Sequence, residues 1–153
     1  MSFRIEKKYL IQPNQILEVN NWLSKNNFSK LYSGRQIESI YLENYQNDMF
    51  LNSEEGCVPR KKIRLRAYPQ NQKKIKKFLL EIKTTSVEGR FKSTKKINER
   101  QSLKILNNGY TDTLYGICKK KLKVNFYRTY FKFDNYRITL DKHIKYSNII
   151  NSY

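Results

Sequence analysis

The sequence predicts an α+β domain in which antiparallel strands form a meandering sheet or open barrel, with two peripheral helices. Three stretches carry that prediction. From Arg60 to Tyr68, Lys62, Arg64 and Arg66 alternate strictly with Ile63, Leu65 and Ala67. From Ile75 to Thr84, Phe78, Leu80 and Ile82 alternate with Glu81 and Lys83. A long aromatic run, Leu122 to Phe133, is turned by Asp134-Asn135 into Tyr136 to Asp141, where Arg137, Thr139 and Asp141 oppose Ile138 and Leu140. A period of two belongs to a half-buried strand.

The remaining elements follow in chain order. Phe3 to Ile11 reads as a strand, with Arg4, Glu6 and Lys8 on one face and Ile5, Tyr9 and Ile11 on the other. Pro13 opens a helix at the favoured first-turn position, Ile16, Val19 and Leu23 form its buried stripe, and Asn26-Asn27 ends it. Gln36 to Leu42 is a second strand. Asn44 to Pro59 reads as a loop or loose hairpin, because polar residues and Gly56 interrupt any period. Glu88-Gly89 is a turn leading into a basic segment, Arg90 to Lys96. Glu99 to Leu106 is a short helix stopped by Asn107-Asn108-Gly109.

The 153 residues fit one domain, and 39% apolar content is enough for a modest core, so general disorder is excluded. No run approaches the roughly 20 apolar residues of a membrane-spanning helix. Met1 to Lys8 turns charged at once and has no signal-peptide segment, so a cytoplasmic location is expected. His143 is the single histidine, which excludes a His-rich metal site or a pair of catalytic histidines and leaves it as a surface or packing residue. Cys57 and Cys118 lack metal-type spacing and read as ordinary thiols.

Thirty-one Lys and Arg stand against 13 Asp and Glu, a formal net charge of +18. Sixteen Asn against the single Ala67 point to a compositional bias that inflates Lys. A charge of this size still implies an anionic partner, whether nucleic acid, phosphate-rich small molecules or a membrane surface. Separate strands place Lys8, Lys62, Arg64, Arg66, Lys83, Arg128 and Arg137 at alternating positions. In a curled sheet these would converge and repel unless an anion lay between them. Arg forks take phosphate oxygens in pairs, and Lys supplies flexible point charges.

Six motifs in order carry a family resemblance. They are Glu6-Lys7-Lys8-Tyr9, Ser39-Ile40-Tyr41-Leu42-Glu43, Arg60 to Tyr68, Leu80-Glu81-Ile82-Lys83, Tyr127-Arg128-Thr129-Tyr130-Phe131 and Arg137-Ile138-Thr139-Leu140-Asp141. On these the chain resembles the VTC (vacuolar transporter chaperone) domain, the polyphosphate polymerase branch of the triphosphate tunnel metalloenzymes, from about Phe3 to Tyr146. The resemblance implies a CYTH-like antiparallel β tunnel within a single domain over residues 1–153. Its inner basic residues would hold ATP or another nucleoside triphosphate together with a polyphosphate chain.

Carried over by position, Lys8, Arg64, Arg66, Lys83, Arg128 and Arg137 would be the catalytic phosphate ligands. Lys62 joins them through its place on the basic face. Lys92, Lys95 and Lys96 resemble the family's Lys/Arg-rich segment after the Leu-Glu-x-Lys strand. A divalent metal, Mn²⁺ or Mg²⁺, would accompany the phosphates, with Glu6 and Glu81 as its nominated ligands and Asp141 as a further acid; for each acid a salt bridge to an adjacent Lys or Arg is the equal alternative. Phe126 stands where the family often has Tyr, which removes a hydroxyl. The chain stops at Tyr153, before the family's further strands, metal-binding Glu and terminal helix. The expectation is therefore a tunnel open at its C-terminal side, completed by a second chain or copy, and slow or absent turnover by the chain alone.

The implied reaction moves the γ-phosphoryl group of ATP onto the end of polyphosphate. Positioning and charge neutralisation do most of that work, and little side-chain proton chemistry is needed. A face rich in bases and poor in acids favours transfer or binding over hydrolysis. Two other readings stand beside it: a non-catalytic polyphosphate-binding or regulatory module, and general nucleic-acid binding with Tyr and Phe as stacking surfaces. The aromatic residues at Phe126, Tyr130 and Phe131 are more simply read as core.

Overall fold

The computed structural model describes residues 7–69 and 77–149. Their elements are α1 (Ile16–Lys25), β1 (Ser29–Glu43), α2 (Asp48–Glu54), β2 (Arg60–Tyr68), β3 (Lys77–Ser86), β4 (Gly89–Ile97), α3 (Glu99–Asn108), β5 (Tyr110–Asp112), β6 (Gly116–Phe133) and β7 (Tyr136–Asn148). The strands follow the order β4-β3-β2-β1-β6-β5, and β7 pairs with β6. The chain divides into two compact units, Met1–Ser33 with Thr129–Thr139, and Gly34–Arg128 with Leu140–Tyr153.

In the smaller unit a single 3-10 turn, Pro13–Gln15, precedes α1. Leu23 is buried, and Ile16 and Val19 beside it are half-buried, as a stripe of helical spacing requires. Asn26 Nδ2 donates to the Trp22 carbonyl at 2.8 Å, and Asn27 takes the left-handed conformation that ends the helix. Trp22, Phe28 and Phe133 then form a row of tilted rings with centroids 5.7 and 5.6 Å apart. The expected strand from Phe3 to Ile11 is not formed over its described part. Residues 7–11 carry no regular structure, and Tyr9 and Leu10 are largely exposed. Alternation alone cannot make a strand where no face is buried.

In the larger unit the sheet is mostly antiparallel and curled as a half-barrel. β1 pairs with β2, β2 with β3 and β3 with β4, all antiparallel. Ile63, Leu65 and Leu80 face one side and join Leu42, Met49 of α2, Tyr115 and Cys118 in the core, with Ile105 and Leu106 of α3 packed against it. The helices therefore cover the apolar face and leave the charged face of β2 and β3 uncovered by them.

Several boundaries differ from the sequence reading. The stretch Asn44 to Pro59 contains α2, whose first turn is held by Glu43: Met49 N–H donates to Oε1 at 3.1 Å and Phe50 N–H to Oε2 at 3.0 Å. A carboxylate at a helix N-terminus satisfies donors that the helix itself leaves open. The basic segment Arg90 to Lys96 lies in a strand, β4, whose side chains are nearly all exposed and so show no apolar period. β1, β6 and β7 are all longer than the runs Gln36–Leu42, Leu122–Phe133 and Tyr136–Asp141.

Candidate phosphate-binding face

Strand register brings the basic side chains into rows. Lys62 is the pairing partner of Lys83, and Lys83 of Lys92, so three lysines stand abreast on three strands. The next row is Tyr41, Arg64, Glu81 and Thr94, and the one after it Ser39, Arg66, Leu79 and Lys96. All belong to the helix-free face. Like charges directly opposite one another in a sheet repel, and in this row Lys92 turns its ammonium to Glu81 of the next row.

Glu81 is the acid at the centre of this face. It is 2% exposed, and both its oxygens are engaged. Arg64 Nε donates to Oε2 at 2.7 Å, Lys92 Nζ donates to Oε1 at 2.6 Å, and Arg66 Nε lies 3.6 Å from Oε2. Arg64 also donates from Nη1 to the Tyr41 hydroxyl at 2.9 Å, and Arg66 Nε donates to Ser39 Oγ at 3.3 Å. Burial opposes the charged form of Glu81, yet the hydrogen bond from Lys92 and the charges of Arg64 and Arg66 outweigh it, and the carboxyl lies below its ordinary 4.5. The sequence reading quoted Ser39 and Tyr41 within the motif Ser39-Ile40-Tyr41-Leu42-Glu43 but did not nominate them as site residues; their alternation with Ile40 and Leu42 was the available signal.

Arg128 reaches the same side of the sheet through β6. Lys123 pairs with Glu38 at 3.0 Å, and Gly34 lies against the Tyr127 ring, so over this stretch odd positions of β6 meet even positions of β1. Arg128, at an even position, then falls with Ser39 and Tyr41. Its guanidinium is bonded to Asp141 of β7 and sits 5.1 Å from the centroid of Phe126. The Phe126 ring thus offers the guanidinium an aromatic face.

The other nominated residues are placed differently. Lys95 pairs with Leu80, on the opposite face from Lys92 and Lys96, because neighbouring residues of a strand point to opposite sides. Lys8 and Arg137 belong to the smaller unit. There Lys8 is exposed, and Arg137 lies 5.8 Å from the Tyr32 ring centroid and 6.0 Å from that of Tyr130, two rings packed edge to face. Glu6 lies outside the described residues. His143 is exposed on β7, Cys57 is an exposed free thiol and Cys118 a buried one.

As a metal ligand Glu81 does not fit, since Arg64 and Lys92 hydrogen-bond its two oxygens and a third cation, Arg66, lies 3.6 Å away. Among the described residues no group of three or more His, Cys, Asp and Glu is arranged to hold a metal. No described helix is long and apolar enough to cross a membrane.

A sequence model of the VTC domain family matches residues 3–152. Among solved structures, the chain is similar to a candidate adenylate cyclase of Bacillus halodurans, with TM-score 0.65 and 13% identity over 94% of this chain and 73% of that one. It is also similar to the PH1819 protein of Pyrococcus horikoshii OT3, with TM-score 0.54 and 17% identity over 88% of this chain and 73% of that one. At these identities the likeness shows the fold, that of the triphosphate tunnel proteins. No curated relative of significant similarity was found.

Proposed function

Because the chain belongs to the VTC domain family, we propose that its basic sheet face binds a nucleoside triphosphate and a polyphosphate chain and passes the γ-phosphoryl group from one to the other. The observation that supports this most directly is the set of rows running through Lys62, Arg64, Arg66, Lys83, Lys92 and Lys96, with Glu81 as the acid among them.

In the transfer, a terminal oxygen of polyphosphate attacks the γ-phosphorus, the bond to the β–γ bridging oxygen breaks, and the nucleoside diphosphate leaves. The attacking oxygen is already an anion, so no side chain has to remove a proton. Arg64 and Arg66 supply forked donors for phosphate oxygens, and the lysine row neutralises charge along the chain. Arg128, and Lys8 and Arg137 of the smaller unit, are further proposed ligands. Among the residues described, none are grouped to hold a metal.

The test has a binding arm and a turnover arm. Calorimetry should register metal-free tripolyphosphate and ATP, with affinity falling steeply as salt rises. Incubation with ATP and Mn²⁺ or Mg²⁺, followed by a polyphosphate gel, should show polymer formed only slowly by the chain alone. Binding without polymer would reduce the function to a polyphosphate-binding module. RNA retained in preference to polyphosphate at matched salt would replace the reading with nucleic-acid binding.

A further inference from the structure

The basic face carries its own anion. Arg64, Arg66 and Lys92 converge on one carboxylate that water does not reach, and their side chains differ in exposure: 12% for Arg64, 10% for Arg66 and 46% for Lys92. Three cations around one carboxylate leave an excess of positive charge at the spot. They are also fixed there before any ligand arrives, the two arginines additionally by Tyr41 and Ser39. Resting on the phosphate-binding reading, we infer that Glu81 is a resident counterion. It holds Arg64 and Arg66 assembled in the empty site and releases the exposed Lys92 to an incoming phosphate, and it is not a metal ligand.

The physical case has three parts. Two arginines this deeply buried need a negative partner, since an unpaired buried charge is far more costly than a paired one. A divalent cation on Glu81 would have to displace Lys92 and then sit beside two guanidinium groups, and like charges in a partly dry site repel strongly. Lys92 is the partner most able to leave, because its long flexible stem lies half in water, while Arg64 is held by forked contacts with Glu81 and by Tyr41. Glu81 is therefore a positioning residue: it sets the cations that would touch phosphate.

The inference is tested on the full chain with Glu81→Gln, Lys92→Gln and the unaltered protein, using metal-free tripolyphosphate and MnCl₂ alone as separate probes. Without ligand, Glu81→Gln should melt at a lower temperature than the unaltered protein, because Arg64 and Arg66 lose their counterion. Tripolyphosphate should then raise its melting temperature more than it raises that of the unaltered protein. It should also bind the variant at least about threefold tighter, since the phosphates no longer share the cations with a carboxylate. Lys92→Gln should lower the ligand-free melting temperature less than Glu81→Gln does, since Arg64 and Arg66 keep their counterion, and should weaken tripolyphosphate binding. MnCl₂ alone should shift the unaltered protein and Glu81→Gln equally.

Stabilisation by MnCl₂ that disappears in Glu81→Gln would overturn the inference in favour of a metal ligand. So would equal or weaker tripolyphosphate binding by that variant. If Glu81→Gln does not fold, Glu81→Asp, which keeps the charge but draws its oxygens back, is measured against the same criteria: a lower ligand-free melting temperature and a larger tripolyphosphate shift. If the unaltered protein binds no tripolyphosphate, the proposed function fails. The counterion role is then decided by the ligand-free melting temperature, and an unchanged value overturns it.

Discussion

Arg128 and Asp141 face each other in a fork, Nε donating to Oδ1 and Nη2 to Oδ2, each at 2.6 Å. Both side chains are about a quarter to a third exposed, so solvent screens the pair and its contribution to stability is small. A phosphate presents two oxygens much as a carboxylate does, and it would compete for the same guanidinium. Arg128→Ala and Arg66→Ala should each weaken tripolyphosphate binding by about 1–3 kcal/mol, as for a lost charge-assisted hydrogen bond. Calorimetric titration measures this, and unchanged affinity in both variants would count heavily against the site.

Lys95 and Lys96 are adjacent in sequence and opposite in the sheet. Lys96→Ala should weaken tripolyphosphate binding and flatten its salt dependence, whereas Lys95→Ala should leave both unchanged. Equal effects at the two positions would mean that general charge, and not the helix-free face, attracts the anion.

Acid stability has a calculable sign. Glu81 lies below its ordinary 4.5 because, against the opposing effect of burial, Lys92, Arg64 and Arg66 hold it ionised. Asp112 lies below its ordinary 3.8 because, again against burial, Lys61 and the Leu114 and Tyr115 N–H groups do the same. A lowered carboxyl contributes stability that is present above the unfolded value and lost as pH falls through the folded one. Melting temperature should therefore drop on acidification below about pH 4.5, where such carboxylates take up protons, and Asp112→Asn should flatten that drop. Glu43 has the opposite sign, since burial and Asp48 push it up despite three backbone donors. Removing it with Glu43→Gln should steepen the acid limb in the same scan.

The two thiols should differ in reactivity. Cys118 is fully buried, and burial with the nearby Asp112 and Glu43 charges pushes its pKa up to about 11. Cys57 is exposed. Iodoacetamide near neutral pH should add one label to the native protein, at Cys57, and two in urea. Mass spectrometry of native protein carrying two labels would contradict the burial of Cys118.

Gly34 has no room for a side chain, because a Cβ there would run into the Tyr127 ring. Gly34→Ala should cost about 1–3 kcal/mol, the usual scale of overpacking. Tyr127→Ala in the same chain should recover part of the loss, giving a non-additive double-mutant cycle by urea denaturation.

What could be read from the sequence depended on whether a residue's partner was local. The alternation through Ile63, Leu65 and Ala67 marked β2 and its basic face, because one strand contains the whole pattern. The stripe of Ile16, Val19 and Leu23 marked α1 for the same reason. β4 was visible only as basic residues, since it buries almost nothing, and α2 was hidden because Glu43, on another element, holds its first turn. The stretch Phe3 to Ile11 had the right period and, over residues 7–11, no buried face. For Glu81 the sequence left a salt bridge to a neighbouring Lys or Arg level with a metal; which cations reach it depends on the register of β2, β3 and β4, and no single strand records a register.

The aromatic row of the smaller unit has a spectroscopic use. Trp22 is the chain's single tryptophan, and it stacks beside Phe28. Emission excited at the indole band therefore reports on that unit alone, while the far-ultraviolet signal of the strands reports mainly on the other. Two melting curves recorded from one unlabelled sample thus time the loss of each unit separately. Where the curves part, the distance between them is a direct reading of how independently the two units hold together.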